Sequence, residues 1–255
     1  MILGETKSND DSRPFLPIST LYDSFLTLIY PQACQICLES VEKQADGYVC
    51  AKCWQETHIF TGNETLCHKC GLFLKDSPTN FDTFCRRCDD DFYDKATAIG
   101  SYQKALLVSV LNLKHTPFVP QTLSDLLYQT FLNSQFQTAT TIIPVPLSGK
   151  RLAERGFNQA ELLAESLAEK TGLVCDKTSL RRKLHIEKRR AGMDRKSRLE
   201  SVNNAFEAVS PRLIEGQTVL LIDDVFTSGA TVSNCAKALK KVGAEKTFVL
   251  TVARA

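Results

Sequence analysis

Two adjacent acids, followed closely by a run of hydroxyl-bearing residues, are the part of the chain best suited to chemistry. Asp223 and Asp224 can accept hydrogen bonds from the vicinal hydroxyls of a sugar, and we predict catalytic roles for both. The next residues are small or carry hydroxyls, and a helix start beside them offers free amide groups that suit a phosphate monoester. We therefore predict a site for a phosphorylated sugar, in which the substrate is bound by Val225, Phe226, Thr227, Ser228, Gly229, Ala230 and Thr231.

The elements on either side of these residues should place them at the edge of a sheet. Residues 219–222 form a short apolar run with the β-branched content of a buried strand, and residues 230–241 have helical spacing. Residues 223–229 are then expected in a turn at the carboxyl end of the strand, where open α/β sheets bind ligands. An acidic turn that merely caps a helix is the alternative, and it accounts for fewer of these features.

A basic segment follows a second predicted strand. Residues 140–145 form an apolar run closed by prolines, and a basic loop and a long helix come next. Arg151 and Arg155 would project from the same sheet edge as the acids, and two or three cations there suit a diphosphate. We predict that these two arginines are catalytic and that Lys150 binds substrate. An ordinary solvated helix face is the alternative.

Eight of the ten cysteines form four Cys-x-x-Cys pairs. Each pair can present two thiolates to one tetrahedral ion, so the four pairs predict two structural Zn²⁺ sites. The ligands would be Cys34, Cys37, Cys50, Cys53, Cys67, Cys70, Cys85 and Cys88. Sequential pairing, which gives two zinc ribbons, is preferred over cross-brace pairing. Redox motifs are less consistent with this segment because no strand and helix surround the pairs.

Taken together, these motifs carry a resemblance to known proteins. The strand, the Asp-Asp pair and the Thr-Ser-Gly-Ala-Thr loop resemble the signature of type I phosphoribosyltransferases, which bind 5-phosphoribosyl-1-diphosphate. Further features narrow the resemblance to the ComF family of competence-associated proteins. They are Pro144-Val-Pro146, Arg155-Gly-Phe-Asn-Gln159, Val202, Ala205-Phe206 and the four cysteine pairs in front. The implied fold is α/β: a parallel sheet flanked by helices with a small hood, behind a double zinc ribbon.

The resemblance also implies a function. It suggests binding of 5-phosphoribosyl-1-diphosphate with Mg²⁺, an unidentified phosphoribosyl acceptor, and a role in the handling of DNA taken up during transformation. Single-stranded DNA and proteins of the competence machinery are the candidate partners. Purine-salvage members of the superfamily carry an acid where Thr227 stands, which argues against purine salvage. A non-catalytic DNA- or protein-binding module, with the phosphoribosyl site as a ligand sensor, is the alternative.

The whole chain sets the domain organisation. Its 255 residues carry 31 Lys and Arg against 29 Asp and Glu, so overall charge favours no polyanionic partner. We predict a disordered tail over 1–20, an amphipathic helix and double zinc ribbon over 21–92, and a phosphoribosyltransferase-like domain over 93–255. Residues 181–198 hold nine Lys or Arg against two acids, as expected of a basic lid. No signal peptide or membrane span is recognisable, which predicts a cytoplasmic protein.

Overall fold

A five-stranded parallel sheet forms the centre of the computed structural model, which describes residues 32–74, 83–183 and 205–255. Three predictions lie outside these residues: the tail over 1–20, the helix that would follow it, and most of the basic lid. The sheet strands are β1 (Lys95–Ser101), β2 (Thr141–Pro144), β3 (Val174–Cys175), β6 (Thr218–Phe226) and β7 (Lys246–Arg254), in the spatial order β1-β7-β6-β2-β3. The strand β6 is therefore central, with β7 on one side and β2 on the other.

Helices cover both faces of the sheet, as parallel strands require. They are α1 (Ala51–Gln55), α2 (Lys104–Asn112), α3 (Gln121–Leu132), α4 (Gly149–Arg155), α5 (Gln159–Thr171), α6 (Pro211–Ile214) and α7 (Ala230–Lys241). The core of β6 is apolar throughout: residues 219–222 are fully buried, since both faces of the strand are covered. None of the helices in the described ranges combines the length and apolar content of a membrane span.

A small antiparallel pair, β4 (Leu180–Arg182) and β5 (Phe206–Ala208), stands beside the main sheet. Arg182 extends from β4 with its guanidinium 5.3 Å from the centre of the Phe206 ring. This pair packs against α7. Residues 227–231, the hydroxyl-rich segment, lead into the N-terminus of α7. The predicted basic lid, residues 181–198, begins within β4, and of its residues only 181–183 are described.

Two predicted boundaries are wrong in an informative way. The strand β6 does not stop before the acids but continues to Phe226, because β7 runs alongside and pairs with Asp223, Val225 and Phe226. The predicted basic loop is the short helix α4, which is capped by the Ser148 hydroxyl and ends at Gly156 in the left-handed region, at φ 79°. The apolar run of β6 ends before its pairing with β7 does, so the sequence pattern places the end of the strand too early. The helix α4 has only seven residues and no apolar stripe, so the sequence pattern does not reveal it.

The segment with the four cysteine pairs, residues 34–88, shares its buried core with the helices and strands of the sheet domain. Cys34, Val41, Val49 and Trp54 share a core cluster with α2 and α3. Cys67, Cys70 and Cys88 share the other cluster with α7 and β6. The segment that joins the two cysteine clusters crosses the end of β1, where a Cβ on Gly100 would lie 2.1 Å from the carbonyl oxygen of His58. Only glycine allows this approach.

Candidate functional site

A cavity of about 320 Å³ lies at the carboxyl ends of β1, β2 and β6. Four cations and two acids line it: Lys114, Arg151, Arg155 and Arg182, with Asp223 and Asp224. The parallel strands place their carboxyl ends along one edge, so residues far apart in sequence meet there. An excess of cations around a pair of carboxylates suits a ligand that carries both phosphate groups and sugar hydroxyls.

The two acids are held where β6 runs past the end of β2. The last pair between these strands is Pro144 with Ile222. Just beyond it, the amide of Asp224 donates to Asp223 Oδ1 at 2.9 Å, and the amide of Val225 donates to Asp224 Oδ1 at 2.7 Å. Each carboxylate is thus oriented by a neighbouring backbone amide. The end of β2 leaves room in front of the acids for a ligand.

The environment raises the pKa of Asp223 to about 8. The main cause is loss of hydration, because protein atoms crowd the carboxyl even though part of its surface opens on the cavity, and the charge of Asp224 adds to the effect. Behind it, Cys235 of α7 is fully buried, and burial raises the pKa of its thiol. A buried acid held beside a second carboxyl group is electrostatically unfavourable, and such a raised pKa in a cavity is typical of a functional site.

The hydroxyl-rich segment turns into α7 at Gly229, whose φ is 82°. A Cβ at this position would lie 2.8 Å from Cζ of Phe226, so both the backbone conformation and the space favour glycine. The Ser228 hydroxyl accepts from the amide of Ala230, the first residue of α7, at 3.4 Å. The next amides of this twelve-residue helix, those of Thr231 and Val232, can be offered to a phosphate, together with the exposed hydroxyls of Thr227, Ser228 and Thr231.

Arg254, at the end of β7, contacts the backbone at the start of the hydroxyl-rich segment. Its Nη1 donates to the carbonyl oxygens of Phe226, at 2.9 Å, and of Thr227. Its guanidinium also lies 4.5 Å from the centre of the Phe226 ring. These contacts restrain the backbone at Phe226 and Thr227, and so limit the conformations open to the hydroxyl-rich segment.

The predicted substrate residues divide between two neighbouring cavities. Asp223, Asp224, Val225, Thr227 and Thr231 line the first cavity with Arg151 and Arg155. Phe226, Thr227 and Ser228 line a second cavity, also of about 320 Å³. Gly229 and Ala230 form the turn into α7, and Lys150 is exposed on α4 outside the lining of either cavity. The part each residue plays in binding stays a prediction.

Nine lining residues of the first cavity were not among the predicted site residues, and five of these carry polar side-chain groups: Tyr102, Lys114, Asn158, Gln159 and Arg182. Tyr102 follows β1, so the rule that ligands bind at strand carboxyl ends could have found it. Asn158 and Gln159 belong to the Arg-Gly-Phe-Asn-Gln segment but carry no charge to mark them. Lys114 reaches the cavity only through tertiary packing, whereas Arg182 belongs to the segment predicted as a basic lid.

The eight cysteines of the four pairs form two clusters with sequential pairing, as predicted. One holds Cys34, Cys37, Cys50 and Cys53, the other Cys67, Cys70, Cys85 and Cys88, with the sulfurs of each cluster all within 4.8 Å of one another. The Sγ atoms of Cys37 and Cys50 are 3.6 Å apart, and those of Cys70 and Cys85 are 3.5 Å apart. Zinc with thiolates at about 2.3 Å separates its sulfurs by about 3.8 Å, so both clusters fit Zn²⁺.

The remaining cysteines and the nearby histidines lie outside the two cysteine clusters. Cys235 is buried and Cys175 is partly buried, and both are free thiols. His58 contacts Ser101, with its Nδ1 at 2.9 Å from Oγ, and it lies in neither cysteine cluster. His68 stacks at an angle on Phe84, with ring centres 5.7 Å apart.

The second cysteine cluster reaches the hydroxyl-rich segment through Tyr93. This side chain is only 1% exposed, donates its hydroxyl to Asp91 Oδ2 at 2.6 Å, and meets the Phe226 ring edge-on with centres 5.8 Å apart. Asp91 follows Cys88 closely, and its backbone carbonyl accepts from Lys69 Nζ at 2.8 Å. A continuous set of contacts therefore connects one zinc site to the backbone that would bind phosphate.

A double zinc ribbon joined to a phosphoribosyl transferase domain is the class that this fold and these sites define. Residues 25–90 match the double zinc ribbon domain, and residues 109–255 match the phosphoribosyl transferase domain. The chain belongs to the ComF family.

Relatives of known name agree. Competence protein F of Haemophilus influenzae is 31% identical over 220 residues, which cover 83% of this chain and 92% of that protein. DNA utilization protein YhgH of Salmonella typhi is 27% identical over 236 residues, covering 89% and 99%. Competence protein ComFC of Bacillus subtilis is 26% identical over 209 residues, covering 78% and 80%. This chain is therefore a competence-associated, phosphoribosyltransferase-like protein.

Proposed function

We propose that the protein binds 5-phosphoribosyl-1-diphosphate together with Mg²⁺ in the first cavity. The observation that carries this proposal is the meeting of four cations, two acids and a hydroxyl-rich helix start at one sheet edge. A phosphate monoester, a diol and a diphosphate are the three chemical groups that such a set would recognise. This ligand carries all three.

Each group has a natural partner in the cavity. Residues 227–231 and the first amides of α7 would bind the 5-phosphate, and the carboxylates of Asp223 and Asp224 would accept hydrogen bonds from the ribose hydroxyls. Arg151, Arg155 and Arg182, a cation of the predicted basic lid, would bind the diphosphate. The donor set also fits Mg²⁺, a hard cation that prefers oxygen ligands and binds alongside substrate phosphates. Its charge would help neutralise the diphosphate.

We further propose that the protein is a phosphoribosyltransferase with an acceptor still to be identified. In that reaction the bond between the anomeric carbon and the diphosphate oxygen breaks, and the diphosphate leaves with the electron pair. The acceptor forms a new bond to the anomeric carbon and releases a proton. Arg151 and Arg155 would stabilise the negative charge that develops on the leaving group. Thr227 argues against purine salvage, because it offers no carboxylate to a purine ring.

The ComF membership supports a role in the handling of DNA during transformation, in the cytoplasm. Two relatives are named as competence proteins and a third as a DNA utilization protein. Single-stranded DNA and proteins of the competence machinery remain the proposed partners, with the basic segment over 181–198 as the part of the chain suited to nucleic-acid backbone.

Calorimetric titration of the zinc-loaded protein with 5-phosphoribosyl-1-diphosphate and Mg²⁺ tests the binding site. We expect saturable binding that is lost in the double variant Asp223→Ala/Asp224→Ala. A matched control is the exposed pair Asp89→Ala/Asp90→Ala, which lies outside the lining of the cavity. Absence of binding by the wild-type protein, or equal binding by the Asp223→Ala/Asp224→Ala variant, would contradict the assignment.

A second assay separates an enzyme from a ligand sensor. Diphosphate release is measured with and without single-stranded DNA. Turnover that Arg151→Ala/Arg155→Ala abolishes supports transfer. Binding of DNA and of 5-phosphoribosyl-1-diphosphate without any turnover supports the non-catalytic module instead.

A further inference from the structure

Gln159 is a buried amide without a partner at the wall of the first cavity. It is only 2% exposed, and its Nε2 donates to no hydrogen-bond acceptor in the part of the chain that the structure describes. An unpaired buried donor is unfavourable, and most buried side-chain polar groups are paired. Such an atom at the edge of a ligand cavity indicates that its partner arrives with the ligand.

The position of this side chain is fixed by its neighbour. Asn158 caps α5, with its Oδ1 accepting from the amide of Ala160 at 3.1 Å. The same side chain donates through Nδ2 to the carbonyl oxygen of Val145 at 3.1 Å, and Val145 directly follows β2. The start of α5 is therefore attached to the sheet edge. Gln159, the first residue of α5, is held there before a ligand binds.

The surroundings of Gln159 indicate which end of the ligand it meets. The preceding helix, α4, supplies Arg151 and Arg155 to the same cavity. The hydroxyl-rich segment that suits the 5-phosphate belongs instead to the junction of β6 and α7. The acids of β6 suit the ribose, which lies between the diphosphate and the 5-phosphate in the proposed ligand. Gln159 thus belongs with the arginines, on the diphosphate side.

We propose that Gln159 donates its side-chain amide hydrogen to an oxygen of the diphosphate, and so acts as a specificity-determining residue for ligands that carry this group. The inference rests on the proposed binding of 5-phosphoribosyl-1-diphosphate and adds a neutral donor to the cationic set. Arginines attract any polyanion. The amide of Gln159 is held at the first position of a helix, so it can form a hydrogen bond only with a ligand oxygen in one position.

A partner elsewhere in the chain is the competing explanation, and it makes the opposite prediction about stability. If the amide is unpaired until the ligand binds, replacing it by leucine removes an unsatisfied polar group, and the ligand-free protein keeps or gains stability. If the amide already has a partner within the protein, the same change leaves that partner unsatisfied and lowers the melting temperature.

The test compares wild-type protein with Gln159→Leu and Gln159→Glu by calorimetry, using inorganic diphosphate and ribose 5-phosphate as separate probes in the presence of Mg²⁺. For Gln159→Leu we expect affinity for diphosphate to fall about 10- to 100-fold, as for a lost hydrogen bond to a charged group. Affinity for ribose 5-phosphate should stay within about twofold. Gln159→Glu should weaken diphosphate binding at least as much, because it replaces the donor with a negative charge.

Gln129→Leu serves as the matched control, since this glutamine is exposed on α3 and lines a different cavity. Melting temperatures without ligand complete the set. Unchanged diphosphate affinity in Gln159→Leu, an equal loss for both probes, or a lower melting temperature of the ligand-free variant would each overturn the inference. Wild-type protein that binds neither probe would instead overturn the proposed function on which the inference rests.

Discussion

Replacing Asp223 by asparagine should make the protein more stable while it weakens ligand binding. The carboxyl has its pKa raised from 3.8 to about 8, first by burial and then by the charge of Asp224. The native state therefore holds a proton that the unfolded chain has already released between about pH 4 and pH 8. The wild-type protein loses stability across that window as pH rises, whereas an asparagine stays neutral throughout.

The magnitude follows from the shift. Taken in full, a change from 3.8 to about 8 corresponds to about 5–6 kcal/mol, since one pKa unit is worth about 1.4 kcal/mol. Part of the carboxyl surface opens on the cavity and is screened by solvent, so we expect a gain of about 1–3 kcal/mol above pH 8. For a protein of this length, that gain corresponds to a melting temperature about 3–10 °C higher.

Thermal unfolding of the zinc-loaded proteins between about pH 5.5 and pH 8.5 measures this effect. The difference in the free energy of unfolding between Asp223→Asn and wild type should more than double across that range. Asp125→Asn is the control of opposite sign, because the hydrogen bond from Lys170 lowers the pKa of Asp125. A variant that is no more stable than wild type, or whose advantage is independent of pH, would refute the electrostatic reasoning.

Three further predictions concern the elements around the acids. Arg182→Ala should weaken binding of inorganic diphosphate by about 10-fold or more in calorimetry, because one charged donor is lost; an unchanged affinity would remove Arg182 from the site. Gly229→Ala should lower stability by about 1–3 kcal/mol in denaturant unfolding, since its Cβ would lie 2.8 Å from Phe226 at a φ of 82°; a fully stable variant would contradict the packing described for α7. Tyr93→Phe should weaken binding of ribose 5-phosphate while zinc analysis still finds about two ions per chain, because the hydroxyl that holds Asp91 beside the phosphate-binding segment is lost; unaltered affinity would show that the zinc ribbon does not position that segment.

Features encoded over a few neighbouring residues could be predicted from the sequence alone. Each Cys-x-x-Cys pair brings two thiolates together within one short turn, so the two zinc clusters were foreseeable and only their pairing needed the structure to decide it. The acids and the hydroxyl-rich segment were equally recognisable, because a strand, a turn and a helix start follow one another within about thirteen residues. The strand β2, the apolar part of β6 and the helix α7 were also predicted, since each carries a clear apolar pattern.

Features that depend on pairing or on distant packing needed the tertiary structure. The extension of β6 to Phe226 depends on β7, and the helix α4 has no buried residue to announce it. Tyr102 follows β1, Lys114 follows α2 and Arg182 ends β4, and they line one cavity with the acids only because of the tertiary fold. The raised pKa of Asp223 and the unpaired amide of Gln159 are consequences of burial. Burial belongs to the folded arrangement, so the residue types could mark where chemistry is possible, and packing decided which side chains take part.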